Sequence, residues 1–166
     1  MGARVAPRAR ARQSWGRALT DVRVTDDPRV RAIQAGDPLV LEAIRLDMLY
    51  GLVELMDAAL GRTRALPAAT LVLYRRARRH HPAAAGCALL ARLAGAAPPR
   101  PRLALYPEGY HYLDRDRQRR RTIGDILAWL DRPAAALPSG AGLAPSAARR
   151  QLGCDAPQPA RKRSGR

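Results

Sequence analysis

Phenylalanine and asparagine are absent from this chain of 166 residues, lysine occurs only as Lys162, and isoleucine only as Ile33, Ile44, Ile123 and Ile126. Aromatic residues amount to 4%. Any core must therefore be assembled from Leu, Val, Met and a few Ile, and it should be thin and modestly stable. The shortage of residues with AT-rich codons, beside abundant Arg, Ala, Pro and Gly, points to a GC-rich coding sequence.

Cysteine is scarce as well. Cys87 and Cys154 stand far apart, and no His or Cys lies at metal-ligand spacing from either. That excludes a zinc-finger type of site and favours two reduced thiols in an intracellular compartment, with a disulfide between them as the alternative. No cofactor is implied. The basic start is not followed by the apolar core of a signal peptide. The longest apolar segment, residues 38–60, carries Glu42, Arg45, Asp47, Glu54 and Asp57, so it does not read as a transmembrane helix.

Catalytic motifs are missing too. There is no Gly-rich phosphate loop followed by Lys and no HExxH, and no motif gives His80, His81 or His111 a nucleophile or a carboxylate partner. Cys87, in an apolar run, reads as packed and not reactive. The sequence on its own predicts a protein that is not an enzyme.

What the chain has in excess is arginine. It carries 30 Lys and Arg against 14 Asp and Glu, a net charge of +16, and all the basic residues but Lys162 are Arg. A guanidinium offers a planar fork of donors that matches phosphate oxygens in pairs, which an ammonium cannot. The implied partner is a nucleic acid, RNA more than DNA, or an acidic protein surface.

Composition divides the chain into three parts. Residues 1–18 are a basic flexible arm with no acid. Residues 19–132 hold nearly all the large aliphatic side chains and form the folded unit. Residues 133–166, rich in Pro, Ala, Gly and Ser, are expected to be a disordered tail. Within the folded unit, Asp27-Pro28 caps a short helix that Gly36 stops. Asp37-Pro38 repeats the device and opens an amphipathic helix over 38–60. Further helices are expected over 67–80, over 83–95 (weakened by Gly86), and from Thr122, paired with Asp125 as a capping box, to Asp131. Between them, residues 102–114 predict a β-hairpin whose turn, Pro107-Glu108-Gly109, needs Gly109 in a left-handed conformation. The fold class is thus mainly α with one hairpin, a small α+β protein with a helical bundle-like core and disordered basic termini.

Two basic clusters are the candidate nucleic-acid contacts. One comprises Arg115, Arg117, Arg119, Arg120 and Arg121, beside Tyr106, Tyr110 and Tyr112 as stacking surfaces for unpaired bases. The other comprises Arg75, Arg76, Arg78 and Arg79. Arg161, Lys162 and Arg163 match a nuclear localisation signal. Together these features predict a small regulatory or accessory RNA-binding protein of viral character, located in the nucleus or nucleolus. The rival expectations are a helical adaptor that binds partners through the apolar face of helix 38–60, which would equally serve a homo-oligomer, and a structural ribonucleoprotein component. The alternative compartments are the cytoplasm and, through the Arg-rich arm, the mitochondrion.

Overall fold

The computed structural model describes residues 14–16, 23–41, 43–75 and 83–155. In chain order these form β1 (Ser14–Gly16), α1 (Pro28–Gly36), β2 (Ala43–Arg45), α2 (Leu46–Arg62) and β3 (Leu71–Arg75). Then come α3 (Ala83–Ala94), β4 (Arg102–Tyr106), α4 (Arg119–Asp131), β5 (Gly142–Leu143) and α5 (Pro145–Gln151). The protein is a small α+β fold.

The start of α1 follows from its sequence. Asp27 accepts a hydrogen bond from the Arg29 amide at 2.9 Å, and Pro28 occupies the first turn. The next expected helix begins later than 38. Asp37 instead closes a turn, accepting from the Leu39 amide at 2.9 Å, and Ala43–Arg45 pairs antiparallel with Ser14–Gly16. Only then does α2 start, with Asp47 in the first turn, where its charge suits the helix dipole, ion-paired to Arg45. No residue of α2 is buried, and Leu55 and Met56 are 65% and 60% exposed. Among the described residues no helix is long and apolar enough to cross a membrane.

The centre of the molecule is a sheet of order β3-β4-β5. β3 runs parallel to β4, from Leu71 against Arg102 to Arg75 against Tyr106, and β5 lies antiparallel on the far side of β4. The expected helix over 67–80 is therefore a strand where it is described, at Leu71–Arg75. Its Leu-Val-Leu-Tyr run is too short for its period to separate helix from strand, and pairing with β4 decides it. The expected hairpin over 102–114 keeps only its first strand. Residues 107–118 turn without a return strand, and the antiparallel partner of β4 comes from Gly142–Leu143.

Side chains alternate across β4. Leu103 and Leu105 join Leu90 and Leu93 of α3 and Ala148 of α5, with Val72 and Tyr74 of β3 packed against them. Ala104 and Tyr106 join Leu137 and Ala141 on the opposite face, where Leu71, Leu73 and Trp129 close in. The core is thus a strand pair covered on both faces, in place of the expected bundle of helices. Residues 133–155 supply part of both clusters and carry β5 and α5, where composition points to disorder.

Two polar devices hold that last segment. Asp125 in α4 is fully buried and accepts from the Tyr106 hydroxyl at 2.8 Å, from the Ser139 amide at 2.9 Å, and from the Ser139 hydroxyl. Burial, then the Asp125 carboxylate, pushes the Tyr106 phenol far above its ordinary range. Arg102 Nη1 donates to the carbonyls of Pro133 and Ala135, both at 2.5 Å. The third tie is covalent. Cys87 and Cys154 form a disulfide with Cα atoms 5.4 Å apart, correcting the expectation of free thiols. Packing of α3 against α5 brings together two cysteines separated by 67 residues.

Gly86, weak in helix propensity, also has a packing role. A Cβ there would stand 1.9 Å from the Tyr74 hydroxyl oxygen, so any larger residue must displace the Tyr74 ring that packs between α3 and β3. Gly86→Ala is expected to lower the melting temperature in a calorimetric scan, although alanine is the better helix former by about 1 kcal/mol. Adding Tyr74→Phe to that variant should recover part of the loss.

Candidate active site

Because β3 and β4 are parallel, both end at one side of the sheet, at Arg75 and Tyr106. In open, mostly parallel α/β sheets, ligands bind outside the carboxyl ends of the strands; here β3 and β4 are the parallel pair. The loop 107–118 leaves β4 at that side and carries Tyr110, His111 and Tyr112. Gly109 brings the loop down over the end of β3: its Cβ would lie 2.3 Å from Leu113 Cδ2 and 3.3 Å from the Arg75 Cβ. Its value is this close approach. Among the described residues the left-handed glycines are Gly140 and Gly153, so the expected conformation of Gly109 is not the reason for it.

Residues 23–27 grip the loop along its length. The Tyr112 amide donates to the Val24 carbonyl at 2.8 Å, and the buried Thr25 hydroxyl donates to the Arg115 carbonyl at 3.0 Å. The Arg117 amide donates to Asp26 Oδ1 at 2.9 Å, and Arg119 pairs with Asp27 at 3.1 Å. Inside the loop, Asp116 Oδ2 accepts from the Tyr110 amide at 2.6 Å. Asp116 is fully buried, and its Oδ1 has no hydrogen-bond partner. Burial raises its pKa above the ordinary carboxylate value, against the hydrogen bond from the Tyr110 amide and with help from the Asp26 charge.

His111 stands exposed in this frame. Its ring lies 5.6 Å from that of Tyr112, tilted by 37°, and among the described residues it makes no hydrogen bond. An exposed imidazole at the carboxyl end of a parallel strand can accept and return a proton. Nor do three His, Cys, Asp or Glu side chains converge on a metal position among the described residues.

Of the six described arginines expected to meet phosphate, three are engaged within the protein through their guanidinium groups. The Arg115 guanidinium lies 5.9 Å from the Tyr112 ring centre, Arg119 holds Asp27, and Arg121 donates to the Ser139 carbonyl at 2.8 Å. Arg117 is tied through its amide, and Arg120 is exposed in the first turn of α4. Arg75 ends β3 beside Gly109 of the same loop. Arg76, Arg78, Arg79, Arg161, Lys162 and Arg163 lie outside the described residues. Of the proposed stacking surfaces, Tyr106 is 1% exposed and unavailable, and Tyr110 has the Arg23 guanidinium 5.3 Å from its ring centre. Thr122 is buried inside α4 and does not cap it; Gln118 stands at the cap position.

A family model described as Hydrolase_4, serine aminopeptidase S33, matches residues 1–118. The chain belongs to this hydrolase family. No curated protein and no solved structure matches it. The family assignment overturns the expectation of an RNA-binding viral accessory protein, with its adaptor and ribonucleoprotein alternatives, and the expectation that the chain is not an enzyme. The sequence hides this well. Family members with a serine nucleophile announce it by G-x-S-x-G, and the chain has none; Ser14, between Gln13 and Trp15, is the one serine in 1–118. The remaining signal was a lone histidine four residues past Pro107, which only the parallel strand pair gives a place.

Asp116 also makes stability depend on pH. Its folded-state pKa lies above the unfolded value near 3.8, so the native state keeps a proton that the unfolded chain has released. Its contribution is complete below that value and is lost as pH rises through the higher folded-state value. In urea titrations from pH 3 upward, wild type should therefore lose stability relative to Asp116→Asn as pH rises.

Proposed function

We propose that this chain is a hydrolase of ester or amide bonds in which His111 acts as the general acid–base. The family assignment supports the reaction class. The observation that carries the residue is the position of His111, exposed on a braced loop at the carboxyl end of parallel strand β4. In the α/β-hydrolase arrangement the histidine is the last of the catalytic groups along the chain, and His111 falls near the end of the matched span. His80 and His81, the other histidines, lie outside the described residues.

Its chemical task is twofold. The imidazole takes the proton of an attacking hydroxyl or water as the new bond to the carbonyl carbon forms. It then returns the proton to the departing alkoxide or amine. Tyr112, against the imidazole, limits where the ring can swing.

The test is hydrolysis of 4-nitrophenyl acetate and of an aminoacyl 4-nitroanilide by the full chain. His111→Ala and His111→Gln should reduce turnover by about two to four orders of magnitude, the usual contribution of a positioned acid–base group. Turnover unchanged by either variant, or no turnover above the protein-free rate, would overturn the assignment.

A further inference from the structure

His111 sits between two pinned amides. On one side the Tyr110 amide is held from within by Asp116 Oδ2 at 2.6 Å; on the other the Tyr112 amide is held from without by the Val24 carbonyl at 2.8 Å. Fixing both neighbours fixes the His111 backbone while leaving its side chain exposed. The inner pin is an expensive one. A carboxylate with no access to solvent, and with one oxygen unpaired, costs free energy that a surface loop does not need to spend. A neutral turn would close a connection of this length without it.

The surroundings of Asp116 show what that cost secures. Its own carbonyl accepts from the Arg119 amide at 2.9 Å, which joins the loop to the start of α4. Its neighbours Arg115 and Arg117 are the two residues held by Thr25 and Asp26. Asp116 is thus the point at which the outer grip of residues 23–27 meets the inner bond to Tyr110.

We infer that Asp116 is the positioning residue of His111, coupling the 23–27 segment to the imidazole through the Tyr110 amide. This rests on His111 being the acid–base group. Positioning is a large effect in catalysis, where a displacement of about 1 Å can reduce the rate about a hundredfold. Asp116→Ala removes the acceptor; Asp116→Asn keeps an oxygen for the Tyr110 amide and removes the charge.

The experiment uses the full chain of wild type, Asp116→Ala, Asp116→Asn and Thr25→Val, with circular dichroism as the folding control. Two readouts are taken: amide exchange at Tyr110 and Tyr112 together with the nuclear Overhauser effect between the His111 and Tyr112 rings, and kcat and KM for 4-nitrophenyl acetate. The expected result for folded Asp116→Ala is Tyr110 exchange faster by about tenfold or more, a lost ring–ring effect, and kcat reduced by about ten- to a hundredfold with KM within twofold. Asp116→Asn should restore most of each, and Thr25→Val should fall between. A folded Asp116→Ala with an unchanged ring–ring effect, or with kcat unchanged in an active enzyme, overturns the inference. Should wild type hydrolyse nothing, the hydrolase reading fails alone, and the magnetic-resonance readout decides positioning: loss in Ala with rescue in Asn supports it, and any other pattern sinks it.

Discussion

Parallel pairing of β3 with β4 is the constraint to which the other elements answer. Parallel strands cannot be joined by a tight turn and need a crossover of a dozen or more residues. Here that crossover contains α3, which must lie on the sheet it spans and does so where Gly86 admits the Tyr74 hydroxyl. The same pairing sends both strands out at one side and sets the His111 loop against the end of β3. Large apolar side chains of α3, β3 and the closing segment, with Trp129 of α4, cover the two faces of β4, while Ile123, Leu127 and Leu130 of α4 stay exposed. No residue of α2 takes part in that core.

With so few aromatic side chains, the chain uses arginine as a cross-link. Arg92 Nη1 reaches the Leu60 carbonyl at 2.9 Å, Arg100 Nε the Ala96 carbonyl at 2.7 Å, and Arg121 Nη2 the Ser139 carbonyl at 2.8 Å. With Arg102 on Pro133 and Ala135, these guanidiniums bond carbonyls near helix ends and in turns. A high net charge is a statement about solubility and encounter, not about what each charged group touches.

Features set by adjacent residues were legible in the sequence. The Asp27-Pro28 cap, the stop at Gly36, the helix over 83–94 and the end of α4 before Pro133 all depend on neighbours along the chain. Features set by distant partners were not. Leu71–Tyr74 is a strand because of residues 102–105, and β4 finds its antiparallel neighbour beyond residue 140. The segment 133–141 looks featureless until Asp125 and Arg102 are placed beneath it. His111 belongs to the same class. It has no motif around it, and its standing comes from the end of a parallel strand and from residues 23–27, some ninety positions upstream, as in the Thr25–Arg115 bond of separation 90.

The disulfide, finally, changes the topology of the molecule and not only its packing. Between Cys87 and Cys154 the chain is a closed covalent ring that contains most of α3, all of β4, the His111 loop, α4, β5 and α5. β3 and everything before it lie outside that ring and join it by non-covalent contact and a single strand of chain. A single backbone break anywhere inside the ring, including one in the exposed His111 loop, would open it without releasing a fragment. A break between β3 and α3 would leave the upstream half, with its grip on the loop, joined to the part that holds the histidine by non-covalent contact alone.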